Sequence, residues 1–169
     1  MTRNIAIFSD GTGQRSGVTT EETQTNVFKL YRATRSGPDT AIDAREQFAF
    51  YDPGIGTLPA GLTTFGALWN WLYNRVCQAT GLGLTKNIID CYAAIIQNWR
   101  PGDRIFLFGF SRGAYTVRCL AAVLAQCGVP THGADKTPLR RDKANAHRIA
   151  REAVTKVYQH VSSPQDSAY

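Results

Sequence analysis

A single strand-to-helix junction limits what this sequence can fold into. Residues 104 to 118 read Arg-Ile-Phe-Leu-Phe-Gly-Phe-Ser-Arg-Gly-Ala-Tyr-Thr-Val-Arg: an apolar run of strand length that ends in Gly109-Phe110-Ser111-Arg112-Gly113. Pro101-Gly102-Asp103 supplies a turn before the run, and Ala114, Val117, Leu120, Ala121 and Leu124 recur at helical spacing after it. The pentapeptide has the G-x-S-x-G pattern of a nucleophile elbow. Composition alone produces that pattern in about one chain in twenty of this length, so the inference rests on the change of period across the serine.

Two glycines are expected there for a steric reason. A residue held in a tight, strained turn between strand and helix needs neighbours without Cβ atoms, because the two backbones approach closely on either side. The turn pushes Ser111 Oγ out beyond the sheet edge. The helix that follows points its free N–H groups and positive dipole end at the same place, favouring a developing oxyanion. The backbone N–H of Arg112, next after the serine, is the first oxyanion donor this arrangement predicts. The plainer alternative is a serine that caps a helix in an ordinary βα loop.

At 169 residues the chain has the length of one domain, with 43% hydrophobic residues, enough for a packed core. Much of its net charge of +6 lies between Lys136 and Lys156, which reads first as a solvated helix face. Contact with nucleic acid through this segment is disfavoured, while transient contact with a membrane surface is compatible with it. Cys77, Cys91, Cys119 and Cys127 form no C-x-x-C pair and no cluster with histidine at ligand spacing, so no metal site, disulfide framework or cofactor is implied. Ile5-Ala-Ile-Phe8 is too short for a signal-peptide core, and no run reaches the roughly 18 apolar residues of a membrane span. The expectation is a cytoplasmic chain, exported only by a route that needs no signal peptide.

Strands are expected over 4–8, 47–51 and 104–108, and helices over 25–35, 64–77, 86–99 and 144–161, besides the one after Ser111. Such alternation implies a three-layer α/β fold with a parallel sheet and helices on both faces. In strand order 2-1-3 the loops after the first and third strands meet at the switch point. Ser9-Asp10-Gly11-Thr12-Gly13 then lies beside Ser111, and Gly11 or Thr12 becomes a candidate for the second oxyanion N–H. Asp10 is placed either to shape that loop or to act on substrate. Asp52, in Tyr51-Asp52-Pro53-Gly54, lines the same edge. Trp69, Trp71 and Tyr73 offer an apolar wall or lid, although aromatic helices more often serve as core.

Two phosphate chemistries fail on particular residues. Aspartate-based phosphoryl transfer of the haloacid dehalogenase type needs an aspartate two positions before Asp10, where Phe8 stands, and no G-x-x-x-x-G-K-[ST] occurs.

Four blocks in order, FSDGTGQ at 8–14, YDPGIGT at 51–57, GLGLTKNI at 81–88 and PGDRIFLFGFSRGAYTVR at 101–118, resemble one family. It is the group of α/β-hydrolase domains that includes phospholipase effectors of bacterial type VI secretion systems. The resemblance implies a Ser-Asp-His hydrolase of carboxylic esters, phospholipid acyl esters among them, with Ser111 as nucleophile. Arg112, Gly11 and Thr12 would form the oxyanion region, and Asp10, Gly109, Phe110, Gly113 and Asp52 would line the site. Family members carry the acid and histidine on later strands, whereas the candidates here after Ser111 are Asp135, Asp142, Glu152, Asp166, His132, His147 and His160, none of which follows a recognisable strand.

The chain therefore reads as a partial α/β hydrolase, with 1–161 as the N-terminal part of the domain and 162–169 as a tail. Weak or no activity is expected alone, with the rest of the site coming from a missing C-terminal half or a homodimer formed through an unpaired sheet edge. A noncatalytic assembly or binding module is the alternative.

Overall fold

The computed structural model describes residues 2–11, 24–35, 42–43, 45–54, 82–133 and 136–159. The expected 64–77 helix with its tryptophans, Thr12, Cys77, Asp135, His160, Asp166 and the 162–169 tail lie outside these residues.

Three strands, β1 (Asn4–Ser9), β2 (Gln47–Asp52) and β3 (Arg104–Gly109), form a parallel sheet in the order β2-β1-β3. Each runs one residue further than its apolar pattern, because Ser9 continues the pairing with Asp52 on one side and Gly109 on the other. The central strand is covered on both faces and so reads as a nearly continuous apolar run. Ile5 and Ile7 are fully buried on one face, and Ala6 and Phe8 are buried on the other. Burial of an isoleucine side chain of this kind contributes about 2 kcal/mol.

The Ile5 and Ile7 face packs under α2 (Leu82–Asn98) and α3 (Arg112–Cys127), and α4 (Lys143–Glu152) packs against α2 in the same core. In α2 the stripe of Ile88, Tyr92, Ile95 and Ile96 is buried as its spacing requires, and Tyr92 Oη donates to the Gly128 carbonyl at 2.7 Å. Helix α2 begins four residues before the expected 86. In α4, Asp142 caps the N-terminus by accepting from Asn145 N–H at 3.0 Å, and Ala146 and Ala150 are fully buried. Ala153–Tyr158 continues α4 as a π-helical turn.

The opposite face carries a single described helix, α1 (Asn26–Ala33). Thr25 caps it by accepting from Phe28 N–H at 3.1 Å, and Val27 packs with Ala6, Phe8, Tyr31, Tyr51 and Phe108. The Phe8 ring stacks on Phe108 with centroids 4.8 Å apart and meets Tyr31 edge-on at 5.8 Å. The sheet therefore lies between helices on both faces, and the carboxyl ends of all three strands converge on Ser9, Asp52 and Gly109.

Candidate active site

At the end of β3 the chain turns sharply into α3, with Ser111 at the turn. Its backbone lies at φ 53° and ψ −122°, a combination that glycine tolerates and other residues adopt only under strain. Its side chain makes no capping bond to the helix, so the alternative of an ordinary serine cap does not hold. Ser111 is exposed, and no described side chain hydrogen-bonds its hydroxyl. The turn is fixed by Gly113 N–H donating to the Phe110 carbonyl at 2.8 Å and Ala114 N–H to the Ser111 carbonyl at 3.0 Å.

The glycines of the pentapeptide are required by space. A Cβ on Gly113 would lie 2.0 Å from the Ser9 carbonyl oxygen, and one on Gly109 would lie 2.5 Å from the Gly113 carbonyl oxygen. Arg112 opens α3, and its N–H has no backbone acceptor among the described residues. Partial burial draws its guanidinium below the ordinary arginine range. Phe110 is 51% exposed beside the serine.

The loop after β1 reaches this turn, as the strand order requires. A Cβ on Gly11 would touch Ser111 Cβ at 3.2 Å and the Phe110 ring at 3.4 Å. Asp10 is 1% exposed and is held by donors from three elements: Gly11 N–H at 2.8 Å to Oδ1, with Thr25 Oγ1 at 2.5 Å and Tyr51 Oη at 2.8 Å both to Oδ2. That is the geometry of a carboxylate that shapes the loop, and it commits the Gly11 N–H to Asp10. Thr12, the other candidate donor, is outside the described residues.

Asp52 ends β2 on the far side of this loop. It accepts from Ser9 Oγ at 2.9 Å and from Gly54 N–H at 3.1 Å. Burial pushes its carboxyl above the ordinary carboxylate range, against the opposing effect of those two bonds. Ser9, Thr25, Tyr51 and Gly54 are the site residues to which sequence reasoning gave no role. Thr25 carried a signal as a helix cap, whereas the others show their roles only once the strands are in register.

The other described acids and histidines among the candidates have partners away from Ser111. His147 Nε2 lies 3.2 Å from Asp90 Oδ1, whose other oxygen accepts from Lys86 Nζ at 2.5 Å. These three residues, with Asp52, Asn87 and Lys143, line a cavity of about 780 Å³ along β2 and α2. His132 Nδ1 bonds Thr131 Oγ1 at 2.9 Å, Asp142 is the α4 cap, and Glu152 pairs with Arg148 at 3.1 Å. Cys91 is fully buried, which pushes its thiol well above the ordinary range. Among the described residues no group of three or more histidine, cysteine or acidic side chains could hold a metal ion, and no helix is long and apolar enough to cross a membrane.

Ser111 thus stands in a strained turn between strand and helix, with the Gly11 loop against its Cβ. The family model for the catalytic domain of the type VI secretion (T6SS) Tle1-like phospholipase effectors matches residues 3–168. The chain belongs to that family. The Tle1-like match takes in all three strands and both loops that meet at Ser111. A relative from Saccharomyces cerevisiae (strain ATCC 204508 / S288c), the uncharacterized protein YEL023C, is 32% identical over 137 residues. The alignment covers 79% of this chain and 19% of the relative, so the chain spans about a fifth of that protein's length. No solved structure matches the chain.

Proposed function

We propose that this Tle1-like chain carries the nucleophile of a serine hydrolase that cleaves acyl esters of lipids. The observation that carries the reading is the Ser111 backbone at φ 53° and ψ −122° with an exposed hydroxyl that no described residue hydrogen-bonds. Strain of about 1–3 kcal/mol at a residue that caps nothing is otherwise unexplained.

In the proposed reaction Ser111 Oγ attacks the acyl carbonyl while its proton passes to a histidine. The negative charge that develops on the carbonyl oxygen is met by Arg112 N–H and by Thr12 N–H, since Gly11 N–H is taken by Asp10. Collapse of the tetrahedral species breaks the ester bond, and the proton leaves with the alcohol. Water then attacks the acyl-serine, gives a proton to the histidine, and releases the fatty acid as the proton returns to Ser111. The acid and histidine of this scheme come from outside the described residues. Exposed Phe110, beside the nucleophile, suits an acyl chain.

Release of fatty acid from phospholipid vesicles and from a soluble short-chain ester tests the reading. Ester cleavage that disappears in Ser111→Ala supports it. Cleavage of neither substrate, even when a downstream segment carrying an acid and a histidine is supplied, favours the noncatalytic module. Steeply salt-dependent binding of nucleic acid instead would point to the basic 136–156 segment.

A further inference from the structure

The backbone from Ser9 to Gly11 runs between two glycines of different elements. On one side Gly113 of α3 leaves no room for a Cβ, which would lie 2.0 Å from the Ser9 carbonyl oxygen and 2.8 Å from that of Asp10. On the other side stands Gly54, at φ +75°, where a Cβ would lie 2.6 Å from the carbonyl oxygens of both Asp10 and Gly11. The loop therefore has no slack in either direction. Asp52 holds the outer wall in place, since its two carboxylate oxygens join Ser9 Oγ at 2.9 Å to Gly54 N–H at 3.1 Å. Asp10 N–H also donates to the Asp52 carbonyl at 2.9 Å.

We propose that Asp52 and Gly54 are positioning residues for the Ser111 centre, fixing the Asp10–Gly11 loop at the depth at which Gly11 packs against Ser111 Cβ and holds the nucleophile turn in place. The inference rests on the serine hydrolase reading above. Neither residue touches the reacting atoms. A nucleophile reacts fast only when held close to its line of attack, so a loop that retreats by a fraction of an ångström leaves Ser111 without its backing and its Oγ free to leave that geometry. The hold depends on hydrogen-bond geometry. An asparagine at 52 could accept from Gly54 N–H through Oδ1 and donate through its amide to Ser9 Oγ, whose hydroxyl is free to rotate. An alanine could do neither.

The test uses the whole chain, well below its unfolding temperature, with two readouts: the second-order rate of Ser111 labelling by an alkyl fluorophosphonate, and hydrogen exchange of the amides of residues 9–11. Gly54→Ala and Asp52→Ala should each slow labelling by about tenfold to a hundredfold and raise exchange in residues 9–11, with the far-UV spectrum unchanged. Asp52→Asn should recover most of the rate lost in Asp52→Ala. Ser9→Ala, which removes one donor and makes no clash, should slow labelling severalfold and covers the case in which Gly54→Ala fails to fold. Unchanged exchange in the folded variants overturns the proposal, as does wild-type labelling speed in Asp52→Ala. A wild type whose Ser111 never labels counts against the hydrolase reading, and the exchange comparison then decides by itself whether Asp52 and Gly54 hold the loop.

Discussion

Gly113 and Ser9 approach so closely that a single Cβ on the glycine would lie 2.0 Å from the serine carbonyl oxygen. The obstacle is backbone on both sides, the end of β1 and the first turn of α3, so no side chain can swing away to relieve it. Gly113→Ala should therefore destabilise the fold by about 2–3 kcal/mol, in the upper range of overpacking costs. Urea unfolding measures this. A change within 0.5 kcal/mol, the usual range at an exposed site, would show that helix and strand are less tightly joined than described.

Ser111 should reveal its strain when a glycine replaces it. Its φ of 53° and ψ of −122° are open to glycine, so Ser111→Gly removes the strain while adding some entropy to the unfolded chain. A net gain of about 1 kcal/mol is expected, together with loss of any esterase activity. Loss of stability in Ser111→Gly would contradict a strained nucleophile.

Asp10 joins the loop, α1 and β2 in one buried network. Asp10→Ala leaves the Thr25 hydroxyl, the Tyr51 hydroxyl and Gly11 N–H without their acceptor. A cost of about 2–4 kcal/mol follows from removing the acceptor these three donors share, with Asp10→Asn less severe because one oxygen remains. Thermal unfolding of the two variants ranks them, and equal stability of Asp10→Ala and wild type would remove the network from the account.

Asp52 should make the protein less stable as pH rises. Burial raises its folded value above the ordinary 3.8, so between those two values the folded state binds more protons than the unfolded one. Its stabilising contribution is present below pH 3.8 and declines as pH rises through the raised folded value. Lys86 opposes the shift, whereas Asp90 adds to it. Compared with wild type, Asp52→Asn should gain in relative stability across that window and stay level above it. A difference that runs the other way would mean that the Ser9 and Gly54 bonds outweigh burial.

The elements were legible in the sequence where one residue type dominates a period. Ile5, Ile7, Ile105 and Leu107 announce strands, and the Ile88 to Ile96 stripe announces a helix. The strand ends were less visible, because Ser9, Asp52 and Gly109 pair by register and carry no apolar signal. The tight turn at Ser111 could be read because its constraint is local, confined to five consecutive residues. The network that holds the loop could not, since Thr25 and Tyr51 reach Asp10 from 15 and 41 residues away. The same separation hides the Gly54 contact, where the Pro-Gly turn was visible but its target was not. His147 illustrates the converse: its place in a helix gave no hint of the bond to Asp90, 57 residues earlier.

Covalent capture decides whether Ser111 is a nucleophile. The chain is incubated with an alkyl fluorophosphonate, digested, and mapped by mass spectrometry, alongside Ser111→Ala. An adduct is expected on the peptide that contains Ser111 and on no other serine, absent in the variant. An unmodified Ser111 peptide after prolonged exposure, or equal labelling of the variant, would contradict it.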